Sequence, residues 1–204
     1  MGGKKEVLQV LRELEQISSR ENLPSIGPIK GEIISAVIKK YKPTKILEVG
    51  TLHGYSAILM ANSLSDDDNT KKIDIRLITI EIDKNLVNIS RTNIEKAGLA
   101  NKIQVISGNA LEVIPTLTNY KFDLIFLDAV KNEYLKYLRL IEEKNLLESS
   151  AVVIADNVLL YENEMQDYLD YVRTARRYAS QTTETTLEFT KNVKDALEIS
   201  LLMK

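Results

Sequence analysis

Lys45-Ile-Leu-Glu-Val-Gly50-Thr-Leu-His-Gly54-Tyr-Ser-Ala-Ile-Leu-Met60 decides how this chain folds. The apolar run 46–49 has the composition of a short buried strand. From Ser56 onward, Ile58, Leu59 and Leu64 fall on one helical face. Residues 50–54 between them make a tight glycine turn. Strand, glycine turn and helix is how a nucleotide-binding α/β unit opens. Glycines let the backbone approach a ligand because no Cβ intervenes, and the helix start offers unpaired N–H groups to the ligand's polar end. The glycines stand four apart behind an acid, Glu48-x-Gly50-x-x-x-Gly54, and not in the G-x-G-x-x-G spacing of a dinucleotide fingerprint. Such a turn could also serve packing alone, so the rest of the chain has to be read for a site.

Upstream, residues 4–20 carry Val7, Leu8, Leu11, Leu14 and Ile17 at helical spacing. This helix is expected to pack on the sheet or cap the site. Asn22-Leu-Pro-Ser-Ile-Gly-Pro28 is a loop by its prolines and glycine. A helix follows over 30–40, so the N-terminal helical region spans 4–41, and Lys42-Pro43-Thr44 ends it. Downstream, Ser65-Asp-Asp-Asp-Asn-Thr-Lys-Lys72 reads as a solvated loop, with a metal-binding acidic cluster as the sharper alternative. Arg76-Leu-Ile-Thr-Ile-Glu81 is a second strand, and the helix opened by Asp83 runs through Ala97 to a stop at Gly98. Lys102-Ile-Gln-Val-Ile-Ser107 is a third strand, followed by Gly108-Asn-Ala110 and a helix to Leu117 broken by Pro115. Phe122-Asp-Leu-Ile-Phe-Leu-Asp128 is a fourth, almost continuously apolar as a buried parallel strand should be. After a helix over 134–147 comes a fifth strand, Ala151-Val-Val-Ile-Ala-Asp156, then Asn157. A helix is expected over 162–179. Strands 182–190 and 196–203, joined by a turn at 191–195, would form an antiparallel hairpin. The expected architecture is a Rossmann-like α/β fold: a seven-stranded, mostly parallel sheet with a C-terminal antiparallel hairpin and helices on both faces. No repeat or linker divides residues 1–204, so one domain is expected.

Composition narrows the function. A net charge of −2 leaves no broad basic field for nucleic acid. The absence of cysteine excludes disulfides, thiolate metal sites and a cysteine nucleophile. A single histidine, His53, leaves no histidine-rich metal cluster and argues against a Ser-His-Asp triad. The start, Met-Gly-Gly-Lys-Lys-Glu, leads into a charged amphipathic stretch and not a signal peptide. No apolar run is long enough to span a bilayer. A cytoplasmic protein without membrane or nucleic-acid partners is expected.

Ligands of an open α/β sheet bind beyond the carboxyl ends of its strands. Four strands here end in or beside an acid: Glu48, Glu81, Asp128 and Asp156. Glu81 stands at the tip of the second strand, where a ribose hydroxyl pair would be bonded. Asp156 and Asn157 offer two neighbouring oxygen ligands and Asp128 a third. Three oxygens without His or Cys suit a hard cation such as Mg2+. Each Asp could instead cap the helix after it. Lys131 lies three residues beyond Asp128. A lysine near a cation and partly desolvated can fall from a pKa of about 10.4 toward neutrality and serve as general base. His53 could touch a ligand carboxylate or simply face solvent, and receives no catalytic role.

The form Glu48-x-Gly50-x-x-x-Gly54 resembles the first motif of S-adenosylmethionine-dependent methyltransferases. From about Ser25 to the C-terminus the chain resembles the small metal-dependent O-methyltransferases of the catechol and caffeoyl-CoA group. The matching pieces are Ile26-Gly27 with Lys30-Gly31, the glycine turn with Tyr55 and Ser56, Glu81, Gly108-Asn-Ala110, Leu127-Asp-Ala-Val-Lys131 with Tyr134, and Asp156-Asn-Val158. The resemblance implies S-adenosylmethionine as methyl donor, with Ile26, Glu48, Gly50, Gly54, Ser56, Glu81, Ala110 and Asp128 around it. It implies Mg2+ or another hard divalent ion on Asp128, Asp156 and Asn157. Lys131 would deprotonate the acceptor, a small aromatic diol touched by Lys131, Asn157 and Glu198. A methyltransferase of the same fold acting without metal on another small molecule is the alternative, and a homodimer is the expected assembly. Ala129 and Val130 depart from the catechol enzymes, which carry His and Trp there, and Pro24 and Ser25 also differ at the substrate mouth. The arm before the first strand is shorter than in the caffeoyl-CoA enzymes, which makes a CoA thioester a poorer fit.

Overall fold

The structure is a computed structural model that describes residues 3–64, 74–190 and 192–203; the acidic run 65–72 therefore lies outside the described residues. Two helices, α1 (Lys4–Glu21) and α2 (Gly27–Tyr41), precede β1 (Ile46–Val49). There follow α3 (Tyr55–Ser63), β2 (Leu77–Glu81), α4 (Lys84–Lys96), β3 (Ile103–Ser107), α5 (Ala110–Val113), β4 (Phe122–Leu127), α6 (Tyr134–Glu143), β5 (Leu147–Ala155), α7 (Gln166–Thr174), β6 (Tyr178–Thr186) and β7 (Lys194–Leu202). The strands form one seven-stranded sheet in the order β3-β2-β1-β4-β5-β7-β6. Strands β1 to β5 run parallel, and β7 is antiparallel to both β5 and β6. The order turns outward in both directions from β1 and β4, and their carboxyl ends bound a crevice of the kind that receives ligands.

The central strands have apolar side chains on both faces because helices cover both. Ile46, Leu77, Leu124, Phe126, Val152 and Ile154 pack with residues of α1 to α4 on one face. Leu47, Ile78, Ile125, Leu127 and Val153 pack with α6 and α7 on the other. All of these strand residues are at most 1% exposed, and each such side chain contributes about 1.5–3 kcal/mol relative to exposure.

The chain departs from its sequence pattern in three places, all in the C-terminal half. The helix expected over 134–147 stops at Glu143, because β5 begins at Leu147 and its first four residues are half-buried or exposed. The pattern reveals only the buried half of that strand, 151–155. The helix expected over 162–179 is a short 3-10 turn followed by α7, which ends at Thr174. Tyr178 then enters the sheet opposite Leu202. The first hairpin strand consequently lies at 178–186 and not at 182–190. Residues 187–190, which alternate like a strand, form a loop over the site.

Candidate active site

A cavity of about 750 Å3 opens beyond the carboxyl ends of the parallel strands. Leu14 and Ser18 of α1 and Ile26 and Lys30 of the α2 region close one side of it. Ile26, Gly50, Ser56, Glu81, Ala110, Asp128, Lys131, Asp156 and Asn157 all line it, as does His53. Glu48 and Gly54 lie behind the wall, and Glu198 does not reach it.

The glycine turn follows from how close β4 passes. At Gly50, φ is +99°, and a Cβ there would lie 2.0 Å from the carbonyl oxygen of Asp128. Neither that backbone conformation nor that space accepts a side chain. Gly54, at φ +86°, turns the chain into α3. Glu81 braces the turn from the next strand: its carboxylate accepts the N–H of Leu52 at 2.9 Å, of Thr51 at 3.2 Å and of its own neighbour Asp83 at 3.0 Å. Glu81 is thus both on the cavity wall and a fixed anchor for the loop that Gly50 begins.

Glu48 sits under this floor, wholly buried, and among the described residues neither carboxylate oxygen has a hydrogen-bond partner. Burial pushes its pKa up to about 8; the nearby hydroxyls of Ser56 and Thr79 oppose the rise, and the charges of Asp128 and Glu81 add to it. Because the folded-state pKa is raised, the unfolded chain sheds this proton first as pH climbs. The ligand-free protein is therefore expected to lose stability from this residue between pH about 4.5 and about 8. Glu48→Gln should flatten that part of the pH–Tm profile and be the more stable protein at pH 8. At this chain length each 1 kcal/mol recovered appears as about 2–4 °C in a thermal melt. A variant less stable than wild type at pH 8 would show that the charged form is stabilised instead.

Two acids and a lysine face each other across the strand ends. The Lys131 ammonium donates to Asp128 Oδ1 and to the Tyr134 hydroxyl, both at 2.9 Å. That hydroxyl donates on to the Asp156 carbonyl at 3.4 Å. Tyr134 is fully buried, and burial first, then the charges of Asp128 and Asp156, hold its phenol well above its ordinary pKa. Asp156 is 2% exposed. Burial and then the charge of Asp128 push its pKa up to about 7, against the pull of Lys30 and Lys131. A pair of neighbouring carboxylates held this way is short of positive charge. Among the described residues no three His, Cys, Asp or Glu side chains come together as a metal site; the set here is two carboxylates and the Asn157 amide.

Lys30 is a partner that sequence reading left without a role. It is 1% exposed, and its ammonium donates to Asp156 Oδ1 at 2.5 Å and to Asp195 Oδ2 at 2.6 Å. Asp195, the second residue of β7, also accepts Asn157 Nδ2 at 2.8 Å. Burial works against the Lys30 charge, but the two carboxylates outweigh it and its pKa stands raised.

Glu198 requires correction as a substrate residue. It pairs with Ala155 inside the sheet and is 1% exposed. Both its oxygens are taken by Arg173, at 2.9 Å each, and the Thr182 hydroxyl donates to it at 2.6 Å. The acid that the C-terminal region brings to the cavity wall is Glu188, in the loop after β6. Its carboxylate accepts the N–H of Ile29, and a Cβ on Gly27 would run into its side chain, so the Glu188 loop folds against the start of α2. Around the mouth stand Leu160, Tyr161, Leu187, Phe189 and Val130, the last 55% exposed. The Lys131 ammonium lies 6.0 Å from the Tyr161 ring centroid.

Comparison with known proteins shows the family. The family model described as O-methyltransferase matches residues 3–202. Catechol O-methyltransferase B of Danio rerio is 36% identical over 188 residues, 90% of this chain and 67% of that protein. Catechol O-methyltransferase of Mus musculus is 33% identical over 219 aligned positions, 97% of this chain and 78% of that protein. The O-methyltransferase from Bacillus cereus, solved in complex with SAH, superposes with a TM-score of 0.80 at 26% identity, covering 95% of this chain and 90% of that one.

Proposed function

This chain belongs to the O-methyltransferase family and is an S-adenosylmethionine-dependent methyltransferase, and from that premise we propose that it methylates one hydroxyl of a catechol-type small aromatic diol with the help of a divalent cation. The observation that carries the reading is that Asp128, Asp156, Asn157 and Lys131 line the same cavity as the glycine turn. Identity of more than 30% to catechol O-methyltransferases over nearly the whole chain supports the same acceptor class.

The donor set fits a hard ion. Asp128 and Asp156 each give one oxygen to an ammonium, which leaves the other oxygen of each carboxylate for a metal, and Asn157 adds an amide oxygen. Asp128, Asp156 and Asn157 would hold the ion, and the chemistry it would supply when bound is Lewis-acid stabilisation of charge on the acceptor oxygen. The methyl donor would lie with its methionine end at Gly50, Ser56 and Ile26, its ribose at Glu81 and its adenine at Ala110, over the buried Glu48 carboxylate. Lys131 would take the acceptor's proton, its position fixed from two sides by Asp128 and Tyr134. The remaining work is positioning: rigid strand ends hold donor and acceptor at near-attack distance, where orientation supplies much of the rate. The apolar mouth at Val130, Tyr161 and Phe189 suits an aromatic ring, and the Glu188 oxygen not taken by Ile29 would meet a second polar group on it.

One observation favours the metal-independent alternative. Lys30 already gives Asp156 a positive partner at 2.5 Å, so the acids could be neutralised without an ion, and the acceptor need not be a diol. Initial rates on catechol and on phenol in Mg2+ separate the readings. The diol is expected to be turned over at least about 100-fold faster, because only it can use both oxygens on the ion. Equal rates would favour the alternative.

A further inference from the structure

Beneath the acids of the site lies a closed network drawn from three distant parts of the chain. Lys30 comes from α2, Asp156 and Asn157 follow β5, and Asp195 opens β7. The Lys30 ammonium is shared between Asp156 and Asp195. Asp195 is fully committed: Oδ2 takes Lys30 and the Asn157 amide, and Oδ1 takes the backbone N–H of Leu160 at 3.2 Å. It is 0% exposed and is absent from the cavity wall, so it touches neither donor nor acceptor. A carboxylate can only accept, which forces the Asn157 side chain to turn its NH2 toward Asp195 and its carbonyl oxygen the other way.

From this network we propose that Asp195 is the positioning residue for the metal ligands: it draws the Lys30 ammonium partly off Asp156, leaving that carboxylate available to a cation, and it fixes the Asn157 amide with oxygen outward. The inference rests on the metal reading above. Without Asp195, Lys30 would lean wholly on Asp156 and compete with the ion for it. Without an acceptor at position 195, the Asn157 amide would be free to rotate. Outer partners that orient metal ligands in this way are worth about 10–100-fold in affinity.

The test is Mn2+ binding to the metal-free protein, read by electron paramagnetic resonance, beside S-adenosylhomocysteine affinity measured without metal. Asp195→Asn is expected to weaken Mn2+ by about 10–100-fold and to leave S-adenosylhomocysteine affinity unchanged. Adding Lys30→Met to it should recover most of the loss, since the competing ammonium is gone. A decisive pair removes both charges, a change that buried ion pairs tolerate, and so remains informative if the single variant fails to fold. Lys30→Met/Asp195→Asn keeps an acceptor for Asn157, whereas Lys30→Met/Asp195→Leu has none. The two carry the same charge, and the Leu variant should bind Mn2+ about tenfold more weakly. Equal affinity in that pair, wild-type affinity in Asp195→Asn, or parallel loss of Mn2+ and S-adenosylhomocysteine would overturn the proposal. Wild-type protein that takes up S-adenosylhomocysteine but no Mn2+ would overturn the metal reading, and this proposal with it.

Discussion

Lys131→Met is expected to lower kcat on catechol by about 10²–10⁴-fold, the range a positioned general base supplies, with S-adenosylhomocysteine affinity retained. The side chain is only 14% exposed and is held by two hydrogen bonds of 2.9 Å, to Asp128 and to Tyr134. An amine that merely filled space would not need such restraint. The loss should also depend on the acceptor. A diol whose hydroxyl ionises readily, such as 4-nitrocatechol, needs little help in losing its proton, so the variant should approach wild type on it. Unsubstituted catechol should show the full defect. Rates that fall by the same factor on both acceptors would remove Lys131 from proton transfer and leave it as a partner of Asp128. Tyr134 belongs to the same assembly through its hydrogen bond from Lys131, but its own phenol is held above its usual pKa by burial and two nearby carboxylates, which makes it a poor base.

What could be read in the sequence is what is local and repeated. The glycine turn declares itself because β4 leaves no room for a Cβ at Gly50, and Glu81, Asp128 and Asp156 stand out because each closes an apolar run. The C-terminal hairpin was harder. The edge strand β6 is Tyr-Ala-Ser-Gln-Thr-Thr-Glu-Thr-Thr, polar on both faces, so its alternation carries little about where it begins. Its register comes from pairing with β7, where Ser180 faces Ser200 and Thr182 faces Glu198. A strand placed four residues late takes Leu187 and Phe189 into the sheet and leaves the loop without its acid. The resemblance points to Glu198 as the substrate carboxylate, whereas the acid that this loop carries onto the cavity wall is Glu188. Lys30 and Asp195 were hidden for another reason. They are separated by 165 positions, and Lys30 from Asp156 by 126. Nothing periodic marks a lysine that is buried only because two carboxylates meet it. Lys30-Gly31 did figure in the family resemblance, and the chemical oddity of a lysine between Ile29 and Gly31 at the head of an apolar helix was the one available signal.

Treatment with EDTA is expected to reduce turnover of catechol by about 10³-fold or more, and Mg2+ to restore it. Such a loss is about 4 kcal/mol of barrier, of the order that a Lewis acid on a developing phenolate contributes. The expectation follows from charge. Asp128 and Asp156 share one wall, and the second is pushed up to about 7 even with two lysines beside it. Those lysines cannot replace the ion in the reaction, because Lys30 is held between Asp156 and Asp195 and Lys131 is the proposed base. Donor binding should be far less sensitive to EDTA. The Gly50 turn is held by Glu81 through Thr51 and Leu52, and the only ligand of the proposed ion near it is Asp128. Turnover that survives complete removal of divalent ions would mean that Lys30 alone keeps the acids quiet, and the enzyme would then be a metal-independent member of its family. If turnover is lost along with S-adenosylhomocysteine binding, the ion would be holding the cavity together and not activating the acceptor. Loss of turnover with donor binding intact is the result expected of an ion that serves the acceptor.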